Sequence, residues 1–351
     1  MTRSIRVHSL EVKRFRAIRN FSVPRDGLGW NQEIPDVMLV GGRNGSGKTS
    51  LLELIYQGLE AVVQFNYIHT PNVWRDRDSN IDASVTFNLA GTSCDRLLVR
   101  RSLMRVEPAE ADQPSKCIAD YTNVEERGHY AFSVQELVNE LVEPAGPNPR
   151  TRIETGMLYI PSDRSLLLPP TQSKTPGKLE DHELFCWRWS MPQNWGQSVE
   201  ALLYSARWAD LNAKELGYEP TNFAAYQSAF GHFFGASKRL EWTRTGDLVV
   251  STESGQQHDL SGLSSGEKQV LVLCAEISRR WRPGSLVLID EPELHLHEQW
   301  QTALWTFLLK TQQERRGQLI VATQSDHLFR IARPGTKTVI ESRSELLSSH
   351  A

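Results

Sequence analysis

Residues 42–49 have the types and spacing of a phosphate-binding loop: a glycine, four further residues, then Gly-Lys-Thr. In such a loop, backbone N–H groups surround a phosphate chain while the lysine reaches the β- and γ-phosphates. The threonine hydroxyl is then a ligand for Mg²⁺. The residues that would hold the nucleotide are Asn44, Gly45, Ser46, Gly47, Lys48, Thr49 and Ser50. The alternative, a glycine-rich turn that matches by chance, is disfavoured because lysine, threonine and the flanking sequence all agree.

The second motif, which is acidic, lies far along the chain at residues 285–291 and reads Ser-Leu-Val-Leu-Ile-Asp-Glu. An apolar strand that ends in two acids can bring both carboxylates to the edge where phosphates bind. We predict that Asp290 holds Mg²⁺ through water and that Glu291 positions the attacking water as the catalytic base. The alternative is a buried strand followed by an acidic turn. The phosphate-binding loop upstream favours the catalytic interpretation.

A third motif, Leu-Ser-Ser-Gly-Glu at 263–267, precedes a helical pattern with apolar residues on one face. Ser264 or Ser265 is a good N-cap, and a cap alone would explain the motif. A helix N-terminus that carries serine and glycine is also an anion site. Because one chain provides only one triphosphate, such a site makes sense if it meets the γ-phosphate that another copy binds. The predicted contacts in that case are Ser264, Ser265 and Gly266.

The elements that position these motifs can also be predicted. Residues 36–40 form a strand pattern before the loop, and a helical pattern follows the loop to about residue 67. Alternating patterns at 4–12 and 21–23 predict an antiparallel pair, and those at 81–89 and 96–103 predict a hairpin that extends it. The chain is therefore predicted to be α/β, with an antiparallel β-subdomain before and after the loop.

The middle of the chain is predicted to be a mainly helical insertion. We divide the chain into 1–105, 106–245 and 246–351, with a strand near 156–161 returning to the core. A helix is predicted near 134–142, and helical, aromatic-rich sequence runs from 183 to 234. Aromatic residues at this density more often form a core than a stacking platform for bases.

Composition sets limits on the cellular setting and the partners. The chain has 351 residues, a net charge of -3 and a pI near 6.4, which argues against non-specific coating of nucleic acid by the whole surface. The four cysteines lie far apart, so neither a disulfide framework nor a zinc site is predicted. No apolar run approaches the length of a membrane span. We expect a cytoplasmic protein without a membrane partner.

The order of the three motifs resembles that of an ABC-type ATPase head, a P-loop NTPase. The continuation after Glu291, Pro-Glu-Leu-His-Leu-His, is similar to the soluble SMC/RecF/OLD-like branch, found in DNA repair and in bacterial anti-phage systems. The opening at 10–21 is also of that type. The resemblance covers about residues 5–105 and 245–340. It implies ATP and Mg²⁺ as ligands and a homodimer or higher oligomer that sandwiches two nucleotides.

The resemblance also implies further residue roles. Arg16 becomes a candidate nucleotide contact, although a solvated basic turn is an equal alternative. Residues 293–297 would cross the dimer interface; their two histidines are a weak signal for a metal. Gln324 stands where the family usually has a catalytic histidine, and because it cannot carry a proton charge, slow hydrolysis is expected. The family's metal-binding glutamine is absent from 159–164, where Asp163 is the candidate replacement.

Three functions follow from the resemblance. The first hypothesis is a stand-alone ATPase that regulates a separately encoded nuclease or toxin in bacterial defence, because no nuclease block or coiled coil is evident. The second is a RecF- or SMC-like ATPase that grips DNA during repair. The third, a nucleotide-binding subunit of a transporter, is disfavoured by the residues that follow Glu291.

Overall fold

The structure is a computed structural model, and its strands form three sheets. It describes residues 3–24, 33–63, 74, 80–92, 94–101, 116–120, 137, 140, 155–162, 186–188, 199–217, 219, 221–235 and 237–340. The strands are β1 (Ser4–Phe15), β2 (Ile18–Val23), β3 (Val37–Gly41), β4 (Asp82–Ala90), β5 (Arg96–Arg101), β6 (Lys116–Asp120), β7 (Met157–Ile160), β8 (Cys186–Arg188), β9 (Lys238–Trp242), β10 (Leu248–Thr252), β11 (Gln257–His258), β12 (Leu286–Asp290), β13 (Gln318–Ala322) and β14 (Lys337–Val339).

The helices pack mainly on the central sheet. They are α1 (Lys48–Val63), α2 (Val199–Glu215), α3 (Asn222–Phe234), α4 (Ser265–Arg280), α5 (Glu298–Arg315) and α6 (Asp326–Ile331). In the part of the chain that the structure describes, no helix combines the length and the apolar character needed to cross a membrane.

The central sheet is parallel and has the order β14-β3-β13-β12-β7-β8. Strands β3, β12 and β13 are buried along their whole length, as expected for a parallel sheet covered by helices. In β12, Leu286 and Leu288 join the core shared with α1, while Val287 and Ile289 join the core under α2 to α5. The two-residue period of a strand therefore divides the interior into two cores separated by this sheet.

The second sheet has the order β2-β1-β4-β5-β6 and is antiparallel apart from the β5–β6 pair. The buried side chain of Gln318 joins it to the central sheet. Its Oε1 accepts from Val7 N at 2.7 Å, and its Nε2 donates to Val7 O at 3.2 Å. A buried amide held in this way fixes β1 against β13, because leaving either group unpaired costs about 1–3 kcal/mol.

The structure confirms several predicted elements. These are the antiparallel β1–β2 pair, the β4–β5 hairpin, the strand before the phosphate-binding loop and the helix that begins within the third motif at 263–267. The predicted helix near 134–142 lies outside the described residues except for Leu137 and Glu140, and the predicted extension of α1 to 67 lies outside them beyond Val63.

The helical prediction for 183–234 is wrong at its start. Cys186–Arg188 forms the edge strand β8, which pairs with β7. Strand pairing explains the difference, because aromatic residues favour a half-buried pleated surface as readily as a helix. Farther along, α2 and α3 are helical as expected. Tyr226 and Phe230 are buried in a core, whereas Trp208 on α2 is 54% exposed.

The segment 106–245 contributes more than helices. Strand β6 extends the antiparallel sheet, β7 lies beside β12 in the central sheet, and β9 starts a small three-stranded sheet with the order β11-β10-β9. The three-part division at residues 105 and 245 stays a prediction.

Candidate nucleotide-binding site

The loop between β3 and α1 has the backbone shape that a phosphate cradle requires. Gly45 and Gly47 have φ angles of 78° and 107°, in the left-handed region that glycine adopts without strain. A Cβ on Gly47 would lie 2.5 Å from Ile18 Cγ1, so the turn between β1 and β2 packs directly against the loop. Only glycine at position 47 allows Ile18 to come this close. Asn44, Gly45 and Ser46 form the part of the loop immediately before Gly47.

The Lys48 ammonium lies inside the loop. Its Nζ donates to Gly42 O at 2.8 Å and to Arg43 O at 3.1 Å. These carbonyls hold the ammonium at the place where the loop encloses its ligand. A phosphate would provide stronger, charge-assisted acceptors for the same hydrogens.

The loop and the acidic strand meet at Thr49 and Asp290, which are 241 residues apart in sequence. Thr49 Oγ1 donates to Asp290 Oδ2 at 2.7 Å. Asp290 is fully buried at the end of β12, and Thr49 lies in the first turn of α1 beside Ser50. A hydroxyl and a carboxylate this close provide the oxygen ligands that Mg²⁺ prefers, and Mg²⁺ when bound neutralises charge on the β- and γ-phosphates.

The site also contains a buried hydroxyl that fits a phosphate ligand. Ser46 is 2% exposed, and its Oγ has no hydrogen-bond partner among the described residues. Together with the glycine-lined loop and the Thr49–Asp290 pair, this donor fits a nucleoside triphosphate with Mg²⁺. No cluster of three or more histidine, cysteine or acidic ligands suited to another metal occurs within the described ranges.

Glu291 and Gln324 lie next to each other at the same edge of the sheet. Glu291 has a φ angle of 46°, and its N–H donates to Ala322 O at 2.8 Å, so the residue after β12 is held beside the end of β13. Gln324 Nε2 lies 3.4 Å from Glu291 Oε2 and can donate to it. An amide at this position can orient the carboxylate or a water, but it cannot take up a proton.

A cavity of ≈ 480 Å³ opens between the loop and the segment after β13. Its lining includes Gly42 and Asn44 from the loop, Gln324 and Asp326 from the segment after β13, and Phe329 and Ile340. The cavity therefore separates part of the phosphate loop from the segment that contains Gln324.

The signature tip, residues Ser264–Gly266, is the start of α4. Ser264 is the N-cap: its Oγ accepts from Glu267 N at 3.3 Å, and Glu267 Oε2 accepts from Ser264 N at 2.7 Å. Ser265 is the first residue of α4. A Cβ on Gly266 would lie 3.4 Å from His295 O, so the tip lies against residues 293–297, the crossing loop.

Glu267 also connects the tip to the small sheet, since it accepts from Lys238 Nζ at 2.7 Å. Partial burial acts to raise the pKa of Glu267, but the hydrogen bonds from Lys238 and Ser264 outweigh it and lower this pKa. The carboxylate therefore stays ionised and keeps the cap formed at neutral pH.

Arg16 occupies the tip of the β1–β2 turn with a φ angle of 49°. Its guanidinium forms an ion pair with Glu53 on α1, and its side chain is 48% exposed. Arg16 thus borders the helix that begins at the phosphate loop, and a nucleotide contact from it stays a prediction.

Asp163 lies outside the described residues, which stop in that segment at Ser162. Ile160 at the end of β7 pairs with Ile289 in β12. Because parallel strands end at one edge of a sheet, the segment after β7 begins at the edge that carries Asp290. A metal-binding role for Asp163 stays a prediction.

Residues 245–330 match the family model described as AAA domain, putative AbiEii toxin, Type IV TA system. The match begins in the small sheet and runs through the signature tip, Asp290 and Gln324. With the phosphate loop upstream, the matched residues make the chain similar to ABC-type ATPase heads.

Three solved structures similar to this chain are SMC heads. One, described as an SmcHead bound to the C-winged helix domain of ScpA, is 15% identical with a TM-score of 0.49 and covers 97% of this chain and 99% of its own. The SMC head domain from Thermotoga maritima is 14% identical with a TM-score of 0.42, covering 93% and 92%.

The third is an Smc head domain with an extended coiled coil, bound to the C-terminal domain of ScpA derived from Pyrococcus furiosus. It is 14% identical with a TM-score of 0.42 and covers 99% of this chain and 98% of its own. Because the sequence identities are so low, these structures assign neither an activity nor a partner to this chain.

Sequence reasoning missed one contact at this site. The crossing loop is predicted to lie at a dimer interface, yet the carboxylate of its first residue, Glu293, binds residues 323–325 of its own chain. The only signal in the sequence was a second acid two positions after Glu291.

Proposed function

We propose that this chain is a cytoplasmic ATPase that closes head to tail with a second copy when both bind ATP, and reopens after hydrolysis. The observation that carries the proposal is the Thr49–Asp290 hydrogen bond of 2.7 Å, with Lys48 in the adjoining loop. Because of this contact, the phosphate-binding loop, two candidate magnesium ligands and the acidic residue Glu291 lie at the same edge of the central sheet. This geometry supports phosphoryl chemistry with water as the nucleophile.

In the proposed reaction, the loop and Lys48 bind the phosphates, and Thr49 and Asp290 hold the metal. Glu291 accepts a proton from the attacking water, while Gln324 orients the carboxylate or the water. Because Gln324 cannot share the proton, we expect slow turnover. ATP binding provides the energy for closure and hydrolysis reverses it.

Head-to-tail pairing is supported by the position of the signature tip. It begins a 16-residue helix, and the crossing loop next to it carries the exposed residues His295 and His297. A second copy that brought its own tip to the phosphates bound near Lys48 would complete the shell of hydrogen-bond donors around the γ-phosphate. We infer a homodimer, or a larger assembly of such pairs.

The decisive test is the variant Glu291→Gln. It removes the base but leaves the loop and the metal ligands in place, so ATP should bind normally while hydrolysis falls about 10²- to 10⁴-fold. The uncleaved nucleotide should then enrich the closed pair. Phosphate release and sedimentation with and without ATP measure both effects. Full turnover by Glu291→Gln would remove Glu291 from its role, and a monomer in saturating ATP would remove the pairing.

We further propose that the ATPase regulates a separately encoded effector, a nuclease or toxin, in bacterial anti-phage defence. The description of the matched family, which names a putative toxin of a type IV system, supports a toxin-linked role. A pull-down from the native host with Glu291→Gln and ATP, compared with Lys48→Ala, tests this role. An effector retained only by the ATP-loaded variant is the expected outcome.

The second candidate is a DNA-binding repair ATPase. Lys13 and Arg96 are exposed on the outward face of the antiparallel sheet, which gives a closed pair some basic surface. This hypothesis predicts that DNA affinity of the ATP-loaded protein falls steeply with salt. Absence of DNA binding by the ATP-loaded protein at low salt would exclude it.

A further inference from the structure

The carboxylate of Glu293 is buried and binds the segment after β13. The residue is 6% exposed, and its Oε1 accepts from Thr323 Oγ1 at 2.5 Å, Gln324 N at 3.0 Å and Ser325 N at 3.2 Å. We call residues 323–325 the switch segment. Three donors converging on one oxygen specify the backbone of this segment more tightly than a single hydrogen bond could.

Through Gln324, the contacts of Glu293 also affect Glu291, the proposed catalytic base. The Gln324 amide N–H is held by Glu293, and the side chain of the same residue reaches Glu291 at 3.4 Å. If the switch segment moved by about 1 Å, the side-chain amide of Gln324 would no longer reach Glu291, and its contribution to turnover would be lost.

The crossing loop and the switch segment are also joined through α5. Ser325 Oγ donates to Gln301 Oε1 at 2.6 Å, and Gln301 Nε2 donates to Leu296 O at 2.8 Å. At its outer side the loop meets the signature tip, where His295 O lies 3.4 Å from a Cβ placed on Gly266. One loop therefore touches both the tip and the segment that carries Gln324.

We propose that Glu293 is a positioning residue: it fixes the switch segment so that Gln324 meets Glu291, and it ties this geometry to the crossing loop. The inference rests on the proposed ATPase function and deepens it, because it makes the distance between Gln324 and Glu291 depend on the position of the crossing loop. A partner that displaces the loop would thereby change turnover without touching the nucleotide.

Three substitutions separate this role from simple packing. Glu293→Gln keeps an Oε1 acceptor at the same reach for the three donors. Glu293→Asp keeps the charge but withdraws the oxygens by one methylene, and Glu293→Ala removes the acceptor. The matched control is Glu298→Ala, because this carboxylate is 69% exposed, lies near His327 and Arg330, and makes no contact with the switch segment.

The expected kinetic result is a difference between the variants in kcat. Glu293→Ala and Glu293→Asp should lower kcat about fivefold, the loss expected when the Gln324 amide no longer reaches Glu291, whereas the affinity for ATP should change less than about twofold. Glu293→Gln should retain kcat within about twofold, because it keeps an acceptor for all three donors. Glu298→Ala should behave like the wild type.

A second readout does not depend on turnover. The backbone amide of Gln324 should exchange with solvent deuterium at least about tenfold faster in Glu293→Ala than in the wild type, and at the wild-type rate in Glu293→Gln. Thermal unfolding identifies any variant that fails to fold. If Glu293→Ala does not fold, the comparison of Glu293→Asp with Glu293→Gln makes the same distinction.

The outcomes separate the two proposals. Equal kcat and equal amide exchange in all Glu293 variants would overturn the positioning role. A parallel loss of kcat and ATP affinity would also overturn it, because the residue would then act on the whole site. If the wild type does not hydrolyse ATP, the proposed function fails, and the exchange of the Gln324 amide still decides whether Glu293 holds the switch segment.

Discussion

The phosphate loop with its acidic strand differs from the signature tip in how complete each region is within one chain. At the first, Lys48, Thr49 and Asp290 come from separate elements and already contact each other or the loop. At the second, Ser264 and Glu267 satisfy each other in a capping box. The loop and acidic strand are assembled by the tertiary fold, whereas the tip is assembled by local sequence and, in the proposed pair, would meet a phosphate bound by the second molecule.

The difference follows from what positions each region. Parallel strands β3, β12 and β13 end at a single edge, so side chains distant in sequence converge there without further adjustment. A helix N-terminus requires only its own first turn. The comparison therefore predicts that changes at the loop act within one protomer and changes at the tip act across the pair.

The largest effect is expected for Lys48→Ala. Removing the charge-assisted contacts to the β- and γ-phosphates should weaken ATP binding about 100-fold, because such bonds contribute about 1.5–3 kcal/mol each. Equilibrium binding of a labelled ATP analogue measures this effect. The control is Lys310→Ala on α5, whose ammonium is exposed and lies 3.9 Å from Glu314. Nucleotide retention equal to that of the wild type would refute the assignment of the loop.

The next effect concerns the anchor of the signature helix. Glu276 on α4 is 5% exposed and accepts from Tyr226 Oη at 2.5 Å, from Arg279 Nη2 at 2.9 Å and from Arg280 Nε at 2.7 Å. Burial would raise the pKa of Glu276, but the charges of Arg279 and Arg280 and the hydrogen bonds lower it to about 2. Because the folded pKa lies below the unfolded value, the ionised carboxylate stabilises the fold above pH 4.5, and this contribution is lost as the pH falls toward 2.

Glu276→Gln should therefore reduce the free energy of unfolding by about 2 kcal/mol at pH 7, with the penalty constant down to about pH 5 and smaller below pH 4.5. Urea unfolding at several pH values measures it, and Glu314→Gln, an exposed change on α5, is the control. A penalty independent of pH would mean that packing, not charge, anchors α4.

A mixing experiment tests whether the tip acts across the pair. Ser264→Arg should fill the tip and lower turnover at least about tenfold, with ATP binding retained, because the change removes a cap and adds bulk where a phosphate would lie. Mixed with Lys48→Ala, each heterodimer regains one intact site, so turnover should return to about a quarter of the wild-type value. Failure of the mixture to recover activity, with heterodimers present, would confine the tip to its own protomer.

The smallest effect is expected for Gln324→Ala. Losing one hydrogen bond to Glu291 should lower kcat about fivefold, since a neutral donor contributes about 1 kcal/mol, and should leave ATP affinity unchanged. Single-turnover phosphate release measures it. The control Gln257→Ala removes an exposed glutamine on β11, outside the proposed site, and its kcat should match that of the wild type. A kcat unaffected by Gln324→Ala would remove Gln324 from its proposed role beside Glu291.

Local patterns allowed most of the core elements to be predicted. Alternation and helical spacing were sufficient for β1, β2, β3 and α4, because each pattern reports which face of an element is buried. The edge strand β8 was missed, since three residues within an aromatic run carry no periodic signal. Strand β6 was missed for a related reason: its parallel pairing with β5 depends on a distant partner.

Residue types and short spacings were enough to predict the chemical groups of the site: a glycine-rich loop with lysine and threonine, two acids after an apolar strand, and a serine–glycine helix start. A chain displays these features directly. Folding brings Thr49 to Asp290, Gln324 to Glu291 and Glu293 to residues 323–325, and no local pattern predicts these contacts. Those contacts depend on strand order and register, which many non-local interactions set together.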